Sequence, residues 1–96
     1  LKLIKDFAAA HKKPFFLAGD LNAEPESAFI KYLQQDFQIL SDVNQHTFPA
    51  PAPTETIDYI TALKQKMKGF TVTSAQVVNE PVASDHRPLV VVLEQK

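Results

Sequence analysis

Hydrophobic residues recur at helical spacing in two segments of the chain. A helix is predicted over residues 1–12, and Pro14 prevents its continuation because proline has no backbone N–H to donate. A second helix is predicted over residues 24–36, with Pro25 near its start, where proline is well tolerated. The apolar faces consist of Leu3, Ile4, Phe7, Ala8 and His11 in the first helix and of Phe29, Ile30, Leu33 and Phe37 in the second. We assign no role to His11.

Short apolar runs between these helices and after them predict β-strands, because they are rich in aromatic and β-branched residues. The predicted extended segments are 15–18, 37–40, 56–63, 70–78 and 89–93. The run at 89–93 is continuously apolar, which predicts a strand covered on both faces. Most phenylalanines are expected in the core: Phe7, Phe15, Phe16, Phe29, Phe37 and Phe70. Residues 42–55 have no period and contain three prolines, which predicts a stiff, extended loop long enough to be functional.

Composition limits the function classes without selecting one. The 96 residues are 45% hydrophobic, enough for the core of one small domain or of part of a larger one. Ten basic and eleven acidic residues give a net charge of −1, and no basic stripe favours tight non-specific binding to nucleic acid. Cysteine is absent, which excludes disulfides and thiolate chemistry and leaves the compartment open. No apolar run approaches the roughly 20 residues of a transmembrane helix, and no signal peptide is visible.

Polar residues interrupt or follow the apolar runs at three places. Asp20 and Asn22 follow the first strand and are one residue apart, so both can point to the same side of an extended segment. Asp58 lies inside an apolar strand, where a charge is costly unless it is paired. Residues 84–88 form a polar loop before the last strand. Each cluster alone has an ordinary structural interpretation, as a capped turn, an edge residue or a solvated pair. Asp20 and Asn22 would also suit a metal, a water or a phosphate.

Together, the clusters resemble three signature motifs of the endonuclease/exonuclease/phosphatase superfamily. The stretches are Gly-Asp-Leu-Asn at 19–22, Thr-Ile-Asp-Tyr-Ile at 56–60 and Ser-Asp-His-Arg-Pro-Leu at 84–89, in the family's order. The resemblance covers residues 14–94 and is to the C-terminal half of that domain. It implies an α/β (α+β) fold, namely half of a four-layer α/β/β/α sandwich with mixed, mainly antiparallel sheets and flanking helices. Residues 1–96 would then be the C-terminal portion of one domain whose N-terminal half is absent.

The resemblance also implies divalent-metal-dependent hydrolysis of phosphate esters, with Mg²⁺ or Mn²⁺ as cofactor. The substrate class stays open between nucleic acid, lipid and small molecule, and between phosphodiester and phosphomonoester. By this resemblance His86 is the catalytic histidine and Asp58 orients it. Asp20 assists the attacking water, and Asn22 donates to a phosphate oxygen or supports the metal. Asp85 would hold the cation together with Asp20 and Asn22.

Two further residues are candidates for substrate binding beside Asn22. His46, which with Phe48 precedes the proline-rich part of the loop, could line the substrate mouth, although such residues are more often ordinary loop contacts. Arg87 could contact phosphate or pair with a nearby carboxylate. Thr56 departs from the family pattern, which usually has a basic residue before Ile-Asp-Tyr, so we expect contacts near the scissile phosphate to differ from those of other members.

We expect the 96 residues to belong to a larger enzyme and to be inactive by themselves. Without the rest of the domain they would expose sheet edges and apolar faces. The alternative function is a non-catalytic binding or interaction module that retains the fold. The complete polar set argues against that alternative, because drift would have removed at least one member: Asp20, Asn22, Asp58, Asp85 and His86.

Overall fold

Helices and antiparallel sheets combine in a small α+β unit, as the sequence predicts. The computed structural model describes residues 2–10 and 13–95, so His11 lies outside the described residues. The elements are α1 (Lys2–Ala9), β1 (Phe16–Asp20), α2 (Ala28–Leu33), β2 (Phe37–Ile39), β3 (Asp58–Leu63), a 3₁₀ helix (Lys64–Lys66), β4 (Phe70–Val77) and β5 (Leu89–Gln95). The fold class is therefore confirmed, while the four-layer arrangement stays a prediction. Neither α-helix in this described part of the chain has the length and apolar character needed to span a bilayer.

The larger sheet has the strand order β1-β3-β2, with both pairings antiparallel. Its central strand, β3, is the most buried element because it has a neighbour on each side. The register of β1 on β3 places Asp20 directly opposite Asp58 at one end of the sheet. This register brings two of the predicted site residues together.

The smaller sheet consists of β4 and β5, paired antiparallel with an irregularity between Val72 and Ser74. Burial alternates along β5, and Val90 and Val92 are 45% and 48% exposed. The prediction that this strand is covered on both faces is therefore wrong for the described residues. An unbroken apolar run indicates that both faces of a strand can be buried, but it does not show whether another element packs on the second face.

Helix α2 is shorter than the predicted 24–36, because it begins after Ser27. The Ser27 side chain accepts a hydrogen bond from the Ile30 backbone N–H, which satisfies one of the free donors of the first turn. Pro25 lies in the turn before the helix. Residues 34–36 form a turn that leads into β2.

The core lies between α2 and the larger sheet, where Leu33, Phe37 and Leu63 form a fully buried cluster. Phe37 is the one predicted core phenylalanine that is fully buried among the described residues. Phe15 and Phe70 are half-buried. The prediction is wrong for three others, since Phe7 is 58% exposed and Phe16 and Phe29 are each 43% exposed. Helical and strand periodicity identifies an apolar face, but it does not show whether another element packs on it.

Candidate active site

Two carboxylates face each other at the end of the β1–β3 ladder. Asp20 is the last residue of β1 and Asp58 is the first of β3. Cross-strand neighbours point to the same face of a sheet, and like charges in that position repel each other. Gly19, just before Asp20, has φ = 140°, a value that residues with a side chain rarely adopt. The local sequence thus creates a negatively charged position that favours a cation.

Asn22 does not continue the strand, contrary to the extended geometry predicted for Asp20 and Asn22. Its φ of 51° lies in the left-handed region, which asparagine tolerates better than most residues. The Asn22 backbone N–H donates to Asp20 Oδ1 at 2.8 Å. One Asp20 oxygen therefore caps this turn, as the ordinary structural interpretation of the motif predicts, while Oδ2 points towards His86.

His86 lies between the two carboxylates. Its Nδ1 is 2.7 Å from Asp58 Oδ2, and its Nε2 is 3.8 Å from Asp20 Oδ2. The His86 side chain is 32% exposed, compared with 13% for Asp58 and 47% for Asp20. The three ligand-type atoms lie within 4.8 Å of one another. In this Asp58–His86–Asp20 group, called the relay below, the imidazole lies between a largely buried carboxylate and an open one.

The surrounding charges raise the pKa of His86 above its ordinary value of 6.5. The main cause is the hydrogen bond to Asp58, followed by the negative charges of Asp58, Asp20 and Asp85; partial burial opposes them. The imidazolium form is therefore favoured more strongly than in a solvated histidine. Such a group can hold a proton near neutral pH and deliver it to a substrate atom.

The loop segment 47–50 holds the His86 loop in place through three hydrogen bonds. The Ala50 backbone N–H donates to the Asp85 carbonyl at 2.6 Å, and the Arg87 N–H donates to the Thr47 carbonyl at 2.8 Å. Arg87 Nε donates to the Ala50 carbonyl at 2.8 Å. The Phe48 ring lies 4.6 Å from the His86 ring, centroid to centroid.

Thr47 and Phe48 belong to the site, but sequence reasoning assigned no role to Thr47. The only signal for Thr47 was its place in a long loop, because that loop has no period that predicts which side chains point inward.

The remaining predicted site residues lie around this cluster. Asp85 is exposed, and its charge acts on His86, although it is outside the group of ligand atoms within 4.8 Å. His46 Nδ1 lies 3.2 Å from Thr56 Oγ1. His46 and Arg87 line one cavity of about 400 Å³. The structure thus brings Asp20, Asp58 and His86 together. Asn22, Asp85 and Arg87 flank these residues along the chain, and His46 and Arg87 line the same cavity.

Tyr59, the residue after Asp58, fixes the sheet to the turn after β1. Its buried hydroxyl donates to the Ala23 carbonyl at 2.6 Å and contacts the Thr56 carbonyl at 3.1 Å. Burial, helped by the charges of Glu24, Glu26 and Asp58, raises the pKa of Tyr59 to about 12. Tyr59 therefore acts as a neutral hydrogen-bond donor in the structure.

Comparison with known proteins identifies the family of the chain. The model of the Endonuclease/Exonuclease/phosphatase family matches residues 1–86, a range that ends on His86. The chain belongs to this family. The family comprises hydrolases of the phosphoesterase and nuclease type, and its members generally depend on divalent metals.

A solved structure described as a functionally unknown conserved protein from Enterococcus faecalis V583 is similar to this chain. It has 26% sequence identity and a TM-score of 0.73. The match covers 100% of this chain and 41% of that chain. Comparison with curated proteins gave no match.

The donor set fits the divalent cation on which this family generally depends. Asp58 Oδ2 already accepts hydrogen bonds from Thr47 Oγ1 and His86 Nδ1, so it is poorly placed to take a metal as well. Asp20 is about half exposed, and Asp85 is exposed. Mg²⁺ prefers oxygen ligands, keeps several waters and commonly uses only one or two carboxylates. An open site with Asp20 as its principal carboxylate meets those requirements.

Proposed function

We propose that this chain supplies part of the active site of a divalent-metal-dependent hydrolase of phosphate esters. The observation that carries the proposal is the Asp58–His86–Asp20 relay, with contacts of 2.7 Å and 3.8 Å. A charged imidazole between two carboxylates favours a role in proton transfer over a purely structural role, because the Asp20 carboxylate is open to solvent.

In the proposed reaction Asp20 orients the attacking water and accepts its proton. His86, held through Nδ1 by Asp58, presents Nε2 towards the reacting phosphoryl group. There it stabilises the phosphoryl oxygens or delivers a proton to the leaving oxygen. Asp58 keeps the imidazole in one tautomer and one orientation, as the aspartate of a Ser-His-Asp triad does.

Asp20, Asn22 and Asp85 would hold Mg²⁺ or Mn²⁺. When bound, the cation would offset the negative charge of the phosphate ester and of its transition state. Within the protein, the turn at Asn22 keeps Asp20 Oδ1 occupied, which leaves Oδ2 as its available oxygen.

Substrate binding is proposed for Asn22, Arg87 and His46. The cavity of about 400 Å³ between His46 and Arg87 is large enough for a substituent of the phosphate ester. Arg87 uses Nε to bind the Ala50 carbonyl, so we assign phosphate contact to its terminal nitrogens.

The activity is proposed for the polypeptide that includes these 96 residues, because they span 41% of the similar solved chain. We propose that the remainder of the domain supplies the N-terminal half of the site. The inactivity of the isolated 96 residues stays a prediction.

A metal titration separates this proposal from a non-catalytic binding module. The polypeptide that contains these 96 residues, called the full chain below, is titrated with Mg²⁺ and Mn²⁺ while thermal unfolding is followed. At about tenfold over Kd, a bound ion stabilises the folded state by roughly 1.4 kcal/mol. The stabilisation should disappear in Asp20→Asn and persist in Asp36→Asn, a matched change at a carboxylate that pairs with Lys5 instead. Absence of any shift in the wild-type chain would favour the binding module.

A further inference from the structure

Thr47 is fully buried, and its side chain makes two hydrogen bonds to the start of β3. Its hydroxyl donates to Asp58 Oδ2 at 2.8 Å and accepts from the Ile57 backbone N–H at 3.2 Å. A hydroxyl has a single O–H, so the only donor of this side chain is committed to Asp58. The orientation of the Thr47 hydroxyl is thereby fixed by the main chain and by the carboxylate together.

The oxygen that Thr47 contacts is the same atom that His86 contacts. Asp58 Oδ2 lies 2.8 Å from Thr47 Oγ1 and 2.7 Å from His86 Nδ1. The Asp58 side chain is only 13% exposed, so little water is available to replace either partner. Two donors converging on one oxygen restrict the rotation of the carboxylate about its last side-chain bond.

The main chain of Thr47 also contacts the other partner of the relay. The Thr47 carbonyl accepts the Arg87 N–H at 2.8 Å, one residue after His86. One loop residue therefore contacts the carboxylate of Asp58 through its side chain and the His86 loop through its backbone.

We propose that Thr47 is a positioning residue, whose hydroxyl holds the Asp58 carboxylate in the orientation that binds His86 Nδ1. This inference rests on the proposed function for its effect on turnover, but not for its effect on the geometry of His86. Loss of the hydroxyl frees the carboxylate to rotate, and His86 then loses its fixed tautomer. The consequence is slower turnover without weaker substrate binding.

The test compares three variants of the full chain. Thr47→Val removes the hydroxyl at nearly constant volume, and Thr47→Ser restores it. Thr61→Val is the matched control, because Thr61 is also fully buried and its hydroxyl donates to the Leu17 carbonyl at 2.8 Å, away from the relay. Each variant is measured by NMR for the hydrogen-bonded Nδ1 proton and the tautomer of His86, and by steady-state hydrolysis of a phosphodiester.

In Thr47→Val we expect the Nδ1 proton signal to be lost or shifted and kcat to fall about tenfold with KM unchanged, a smaller loss than the roughly hundredfold or more expected on removal of the acid–base group itself. Thr47→Ser should recover both, and Thr61→Val should change neither. A Thr47→Val protein with the wild-type His86 signal and wild-type kcat would overturn the proposal, as would an equal change in Thr61→Val. If the wild-type chain hydrolyses no phosphate ester, the proposed function fails and the NMR comparison alone decides the positioning role.

Discussion

His86 is held by groups from three separate parts of the chain. Asp58 at the start of β3 binds its Nδ1, Asp20 at the end of β1 lies near its Nε2, and the Phe48 ring packs beside it. Each neighbour acts differently on the imidazole: the first fixes the tautomer, the second adds charge, and the ring excludes water from one side. The hydrogen bond and the negative charges explain why the pKa of His86 is raised, whereas the partial burial of the ring opposes that shift.

The raised pKa of His86 leads to a prediction about its two carboxylate neighbours. Asp58→Asn should lower it most, because the Asp58 hydrogen bond is the largest cause of the shift, and Asp20→Asn should lower it less. Both effects can be read from an NMR titration of the ring protons. Equal titration in the wild type and in Asp58→Asn would show that the contact does not stabilise the imidazolium.

The same shift predicts how stability depends on pH. Since the folded-state pKa is raised, the stabilisation from His86 is complete below its ordinary value of 6.5 and is lost as pH rises through the raised value. The difference in unfolding free energy between the wild type and Asp58→Asn should therefore be larger near pH 6 than near pH 9. Urea denaturation at the two pH values measures it, and a constant difference would contradict this sign.

Helix α2 depends on its N-cap, because a helix of six residues has few internal hydrogen bonds of its own. It places Ile30 and Leu33 in the core beside the larger sheet. The Ser27 hydroxyl is therefore expected to contribute to the stability of the whole unit.

Replacement of Ser27 tests that contribution. Ser27→Ala should lower the free energy of unfolding by about 1 kcal/mol, whereas Ser27→Gly should cost only a few tenths, because glycine is tolerated at the N-cap. Urea denaturation of both variants measures the difference. Equal stability of Ser27→Ala and the wild type would mean that the cap is not needed.

The sequence was informative where a polar residue interrupts an apolar element. Asp58 stands out in this way, whereas Asp20 and His86 were selected by the resemblance of their motifs to the family, and the structure brings the three together. Thr47 could not be selected, because its partner is eleven residues away and its loop has no period. At Asn22 the ordinary interpretation, a turn capped by a side chain, is correct. The extended alternative is wrong because alternation assumes that the strand continues.

At the scale of the whole molecule, part of the surface is apolar. Leu3 and Val82 are each 84% exposed, and Val90 and Val92 form an exposed pair on β5. Exposed patches of this kind mark an interaction surface or an aggregation liability. The buried hydrophobic residues, in contrast, lie around α2 and β3.

The exposed face of β5 can be tested with matched substitutions. The double change Val90→Thr and Val92→Thr should reduce binding of the dye ANS by the 96-residue chain and change the unfolding free energy by less than about 0.5 kcal/mol, as for surface sites. Val91→Thr, on the opposite face of the same strand, should cost about 1 kcal/mol. A double variant destabilised as much as Val91→Thr would show that the outer face is covered.

The central claim is that His86 takes part in metal-dependent hydrolysis of a phosphate ester. The most direct measurement is the steady-state rate of phosphodiester hydrolysis by the full chain with Mg²⁺ or Mn²⁺, for the wild type, His86→Ala and His46→Ala. We predict a metal-dependent rate whose kcat falls at least about a hundredfold in His86→Ala, the usual loss for a general acid–base group, while His46→Ala mainly raises KM. A metal-dependent rate that survives unchanged in His86→Ala would contradict the account.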